Sequence, residues 1–90
     1  MKKVNITKVI DGDTMRDSRG KYYRLAGVDT PEKGERGYSR AKELLENKVE
    51  GETVYIKEVG VSYGRSVVEA RVKGEKGTVN NSLKRAGFEA

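Results

Sequence analysis

The sequence predicts a small β-barrel with helices packed on it, its elements in the order β-β-β-α-β-β-α. Three observations lead there. Five short segments alternate apolar with polar residues, which is strand patterning. Two other stretches, one after the third strand and one closing the chain, repeat apolar residues at helical spacing. Finally, five short strands in 90 residues must close on themselves or leave long unpaired edges.

Each element has its own signal. Lys3 to Ile10 reads as a strand with Val4, Ile6 and Ile10 on one face. Asp11-Gly12 is turn chemistry. Asp13 to Asp17 reads as a short strand, and Asp17-Ser18-Arg19-Gly20 as the turn of a hairpin. Lys21 to Ala26 is the third strand, with Tyr23 and Leu25 alternating against Tyr22 and Arg24. Pro31, the sole proline, opens a polar loop from Glu32 to Gly37. Ser39 is the expected N-cap of a helix. Ala41, Leu44, Leu45 and Val49 follow at helical spacing, and Gly51 ends it. Thr53 to Val59 alternates again, with Val54 and Ile56 on one face. Ser66 to Lys73 does the same with Val68, Ala70 and Val72. After the turn Gly74-Glu75-Lys76-Gly77, Val79 to Ala86 reads as a short helix stopped by Gly87, with Leu83 and Ala86 inward. A helix inserted after strand three of five is the order of the oligonucleotide/oligosaccharide-binding (OB) barrel. An SH3-like barrel and an α+β sandwich stay open on this order alone.

Composition excludes several chemistries. Only 34% of the residues are hydrophobic and 37% are charged, so the core of this one domain is small. There is no Cys, hence no disulfide, thiolate metal site or thiol nucleophile. There is no His, hence no serine triad and no imidazole acid–base work. A metal must be held by oxygen, which points to Ca²⁺, Mg²⁺ or Mn²⁺. Nineteen Lys and Arg against 14 Asp and Glu leave a charge of +5, which suits a polyanion and equally serves solubility. No apolar run is long enough to span a membrane. Met1-Lys2-Lys3 is followed by alternation rather than a signal-peptide core. The compartment stays open: cytoplasmic, or secreted if a leader has been removed.

The hairpin brings charged groups together. With its turn centred on residue 19, residue i faces about residue 38 − i. Asp13 then lies near Leu25 and Ala26, at the same end of the hairpin as Asp29. Glu32 follows three residues later on the loop stiffened by Pro31. Oxygen ligands from strand ends and a loop can hold Ca²⁺. Taken singly, Asp11 and Asp13 are also good turn formers, and Asp29 and Glu32 solvate a loop. Arg24, flanked by inward Tyr23 and Leu25, points out of the barrel. Arg65 shares parity with Val67, Glu69 and Arg71, opposite the inward Val68, Ala70 and Val72. Two outward guanidiniums beside a metal can clamp a phosphate, although surface arginines are common. Tyr22, Tyr38 and Tyr63 offer stacking surfaces for bases, or pack at the core rim. Lys33, Arg36, Arg40 and Lys42 make a basic cluster running into the first helix, which is also an ordinary solvated face.

Together these residues resemble the staphylococcal nuclease-like (thermonuclease) family. The resemblance is carried by Val9-Ile10-Asp11-Gly12-Asp13-Thr14, by Arg24-Leu25-Ala26-Gly27-Val28-Asp29-Thr30-Pro31-Glu32 and by Tyr63-Gly64-Arg65. Val79-Asn80 with Leu83 and Gly87 is similar to the family's closing helix. It implies a five-stranded OB barrel and a Ca²⁺-dependent nuclease that hydrolyses DNA and RNA, preferring single strands. Carried over residue by residue, it implies that Asp13 and Asp29 bind Ca²⁺ through carboxylates and Thr30 through its carbonyl. Arg24 and Arg65 match the phosphate-clamping pair, and Glu32 the general base. Tyr63 matches a tyrosine near the bound nucleotide phosphate, and Lys33 and Arg36 are expected to contact nucleic acid. This chain departs from the pattern in three places. The loop from Lys33 to Gly37 is short. Val61 and Ser62 stand where the family's type member has charged residues. The chain ends at Ala90, before the type member's further tyrosines and C-terminal helix, so weaker substrate binding and modest stability are expected.

Two other functions compete. A non-hydrolytic OB module would bind single strands with steep salt dependence and no metal-dependent turnover. A protein–protein scaffold would show neither. The expected partner is nucleic acid, with no membrane, and the expected state is a monomer, with a dimer as the alternative.

Overall fold

The computed structural model describes residues 1–90. Its elements are β1 (Lys2–Asp11), β2 (Thr14–Asp17), β3 (Tyr22–Leu25), α1 (Tyr38–Val49), β4 (Thr53–Ser62), β5 (Arg65–Val72) and α2 (Val79–Leu83). A π-helical turn, Lys84–Phe88, continues α2 and is ended by Gly87 at φ 103°. The five strands close into a ring in the order β1-β2-β3-β5-β4. Four of the pairings are antiparallel; β3 and β5 run parallel.

The hairpin register is the one read from the turn, with Thr14 opposite Arg24 and Met15 opposite Tyr23. The inward face of β1 is not. Val4 and Ile6 are buried as expected, but Val9 replaces Ile10 in the core, and Ile10 is half-buried. Register shifts between Ile6 and Lys8 and between Val9 and Asp11 are the cause. Each inserted residue reverses the side-chain alternation beyond it.

The helix start also differs. Gly37, at φ 90°, caps α1 with no side-chain hydrogen bond, and Ser39 lies inside the helix. Gly37 reaches a left-handed conformation that Ser39 would enter only with strain. Ala41, Leu45 and Val49 are the buried face of α1, with Leu44 packed partly against the core. β4 runs three residues past the expected Val59, because its end pairs with the start of β5 in a hairpin projecting from the ring. In α2, Leu83 is fully buried while Ala86 falls in the π turn and is only half-buried. No helix is long and apolar enough to cross a membrane.

Two polar side chains hold the ring's shape. Asn80, 3% exposed, accepts from Ala70 N–H (2.9 Å) and donates to the carbonyls of Ala26 (2.9 Å) and Val68 (3.0 Å). It thereby fastens α2 across the β3–β5 seam. Asp17, also buried, accepts at Oδ1 from the N–H groups of Arg19 and Lys21 and at Oδ2 from Tyr23 Oη.

These bonds set a pH dependence. Burial pushes the Asp17 pKa up, but the Lys21 N–H, the Tyr23 hydroxyl and the Arg19 N–H outweigh it, and the net lies below 3.8. Burial first, and the bond to Asp17 second, push the Tyr23 hydroxyl well above its ordinary value of 10.0. Asp17 is more acidic folded than unfolded, so its contribution is present above the carboxylate range and lost as pH falls through its folded pKa. Tyr23 holds its proton more tightly when folded. Its contribution is whole below about pH 10 and is lost as pH rises beyond that. Thermal melts across pH are expected to show a plateau between the two limbs. Asp17→Asn should flatten the acid limb and Tyr23→Phe the alkaline one; unchanged limbs in both variants would contradict this assignment.

Candidate active site

The cleft forms where the ends of β1 and β3 meet the starts of β2 and β5. Its volume is about 450 Å³, and Asp11, Asp13, Thr14, Arg24, Asp29, Thr30, Pro31, Glu32, Lys33 and Arg65 line it. Apart from the Pro31 ring, every side chain lining it is polar or charged. Seven of the nine residues picked from the sequence are therefore brought together: Arg24, Glu32, Arg65, Asp13, Asp29, Thr30 and Lys33.

Tyr63 and Arg36 are not among the lining residues. Tyr63 sits at the tip of the β4–β5 hairpin, 97% exposed, with φ 50°. Tyr63 and Gly64 both have positive φ, as a two-residue type I′ turn requires, and a tyrosine is strained in that conformation. Arg36 is exposed on the loop before α1.

Backbone geometry places each group. The Asp13 carbonyl accepts from Leu25 N–H (2.9 Å), which joins the β1–β2 turn to the end of β3. Asp29 N–H donates to the Phe88 carbonyl (2.9 Å), and Val28 pairs with Glu89, so the C-terminal segment braces the strand exit that carries Asp29. Glu32 N–H donates to Glu35 Oε1 (2.7 Å) and Glu35 N–H returns to the Glu32 carbonyl (2.9 Å), which tightens the loop.

Gly12 allows the turn to approach its neighbours. A Cβ there would meet Ala41 Cβ at 2.7 Å and Thr30 Cβ and Cγ2 at 3.0 Å. Gly12→Ala must part the Asp11–Asp13 turn from Thr30 and α1. The expected cost is about 1–3 kcal/mol, the usual range for overpacking, measured by denaturant unfolding. A loss below about 0.5 kcal/mol would mean the turn yields freely.

The side chains form a polar network. Arg24 Nη2 lies 3.5 Å from Asp13 Oδ2, and Arg24 Nη1 donates to the Leu25 carbonyl (3.2 Å). Thr14 Oγ1 donates to Asp13 Oδ1 (3.0 Å), while Arg65 Nη1 reaches Thr14 Oγ1 only at 3.5 Å. Arg65 thus has no carboxylate partner. Tyr38 Oη donates to Asp11 Oδ1 (3.0 Å). That bond, with some burial, raises the tyrosine's pKa.

Asp11 is the residue sequence reasoning undervalued. It was readable as a turn former, and only its place on the cleft wall distinguishes it. Its signal in the sequence is the Asp-Gly-Asp spacing, which puts two carboxylates on one tight turn.

The donor set suits a hard cation. Asp11, Asp13, Asp29 and Glu32 bring carboxylate oxygens to one cleft, and Thr30 is buried beside them. No three of the acidic groups converge into a ready cation site. Asp13 is instead turned toward Arg24 and Asp11 toward Tyr38. No protein-family model matches the sequence, and neither does any curated protein.

Proposed function

We propose that this protein is a Ca²⁺-dependent nuclease built on an OB-type barrel, hydrolysing phosphodiester bonds in DNA and RNA with a preference for single strands. The observation that carries the reading is the shared cleft. Two arginines, four acidic groups and Thr30, contributed by four separate segments, line one polar hollow. The ring order β1-β2-β3-β5-β4 with α1 between β3 and β4 supports the OB assignment.

Asp13 and Asp29, with the Thr30 carbonyl, are the groups that would hold Ca²⁺. When bound, the cation supplies Lewis-acid polarisation of a non-bridging phosphate oxygen. Arg24 and Arg65 bind the phosphate oxygens and stabilise the charge that grows as the phosphorus becomes pentacoordinate. Glu32, on its tightened loop, orients the attacking water and accepts its proton. The new P–O bond forms as the bond to the leaving oxygen breaks. General-base help of this kind is typically worth about 10²–10⁴-fold. Lys33, at the cleft edge, attracts the strand's backbone.

A second reading has one observation in its favour. The Arg24–Asp13 contact leaves the cleft without a preassembled cation site, which suits a binding module that does not cut. Hydrolysis of heat-denatured DNA in Ca²⁺ and in EGTA separates the two. The nuclease reading expects cleavage in Ca²⁺ alone. Retained salt-sensitive binding without cleavage would establish the binding module instead.

Calcium should also register without turnover. At a concentration 100 times Kd, a ligand that binds only the folded state adds about 2.7 kcal/mol. For a domain of this size that raises Tm by roughly 10–20 °C. Asp29→Asn should abolish most of the rise. A wild-type Tm indifferent to millimolar Ca²⁺ would remove the metal from the proposal.

A further inference from the structure

Beyond Arg24, the outer face of the barrel beside the cleft takes no part in the chemistry above. On β2 and β3 the opposed pair Met15 and Tyr23 points into the core. The alternate pairs, Arg16 with Tyr22 and Arg24 with Thr14, therefore lie on the opposite face, where Thr14 is itself covered (2% exposed). β1 adds Lys8, the register partner of Arg16. Lys8, Arg16 and Tyr22 thus stand in one row across three strands. Arg24, on the cleft wall, begins the next row, two residues along β3.

The row is mainly basic, although the Glu50 carboxylate lies close to it, accepting from Val9 N–H (3.3 Å). Lys8 is exposed, and Arg19 and Lys21 continue the positive charge at the hairpin tip. Asp17, the nearest acidic residue along β2, is turned inward and its carboxylate is taken by Arg19 and Lys21 N–H and Tyr23 Oη. Tyr22 is 42% exposed where its neighbour Tyr23 is buried. Arg16 is half-buried, and its Nε is covered yet donates to nothing. A covered donor without a partner is unfavourable. The outer nitrogens of this half-buried guanidinium are the ones an anionic oxygen can reach.

We propose that Lys8, Arg16 and Tyr22 form a second nucleic-acid subsite that leads a single strand out of the cleft across β3, β2 and β1. Lys8 and Arg16 contact successive backbone phosphates, and Tyr22 stacks on an unpaired base. Stacking requires a free base face, so the occupant is single-stranded. The inference rests on the nuclease reading for the strand's other end, at Arg24 and Arg65.

Fluorescence anisotropy in EGTA tests it without cleavage, using a thymidine dodecamer and a thymidine dinucleotide. Wild type is expected to bind the dodecamer more tightly. Tyr22→Ala should weaken dodecamer binding by about 5-fold or more. Arg16→Gln should reduce the slope of log K against log salt by about 0.7, one single-strand phosphate contact. Neither should change dinucleotide binding. If Arg16→Gln does not fold by circular dichroism, Lys8→Gln, on an exposed side chain, carries the same expectation. Dodecamer binding unchanged in both variants, or loss of dinucleotide and dodecamer affinity alike, would overturn the subsite. Cleavage in Ca²⁺ reports separately. Length-dependent binding lost in the variants, from a protein that does not cut, would retain this subsite and reject the nuclease.

Discussion

Asn80→Ala is expected to lower the free energy of unfolding by about 2–4 kcal/mol, because it strands buried backbone groups. The side chain meets three backbone groups at 2.9–3.0 Å: the buried Ala70 N–H and Val68 carbonyl, and the part-buried Ala26 carbonyl. The Val68 carbonyl also accepts from Ala26 N–H (2.8 Å), so it keeps a partner. The Ala70 N–H and the Ala26 carbonyl lose theirs. Each unpaired buried group costs about 1–3 kcal/mol. A 90-residue domain holds only about 5–13 kcal/mol in all, so the fraction lost is large. The corresponding fall in Tm is roughly 10–25 °C. Asn80→Asp keeps the acceptor for Ala70 but turns an anion on two carbonyls, and it should be no better. A melt within about 3 °C of wild type for Asn80→Ala would mean the seam closes without this latch.

Arg65→Ala is expected to lower kcat/KM on denatured DNA by about 10²–10³-fold, the cost of removing one preorganised donor from developing charge. Stability should move by no more than about 0.5 kcal/mol. Arg65 has no carboxylate partner, and its contact to Thr14 is long at 3.5 Å. Its guanidinium is therefore free for phosphate. Arg24 makes a less clean test, since removing it also releases Asp13 from the 3.5 Å ion pair. Arg65→Lys should recover part of the loss only, since an ammonium lacks the bidentate fork. An Arg65→Ala variant within about threefold of wild type in kcat/KM would take this residue out of the transition state.

Much of the site was legible because its residues lie at strand ends whose register local patterning determines. Tyr23 and Leu25 alternate inward, so Arg24 must point out. The turn at Asp17–Gly20 sets the pairing of β2 with β3, so Asp13 must lie beside Leu25. Val68, Ala70 and Val72 orient Arg65 in the same way. These are two-residue periodicities and one turn, readable within a few residues of each position.

Tertiary structure decided what depends on distant partners. The two bulges in β1 exchange Ile10 for Val9 in the core, because β1 must follow β2 on one side and β4 on the other to close the ring. The parallel β3–β5 pairing joins strands far apart in sequence, and only it puts Arg65 in the same cleft as Arg24. Asn80 looks like an ordinary polar helix residue until that seam needs a donor and an acceptor together. Tyr63 is carried to the tip of a hairpin that outruns the barrel, which its position two residues before Arg65 in sequence does not reveal. Local sequence determined which way each side chain faces along its strand. Closure of the ring decided which of those side chains meet, because contact across a barrel depends on long-range pairing that no local pattern encodes.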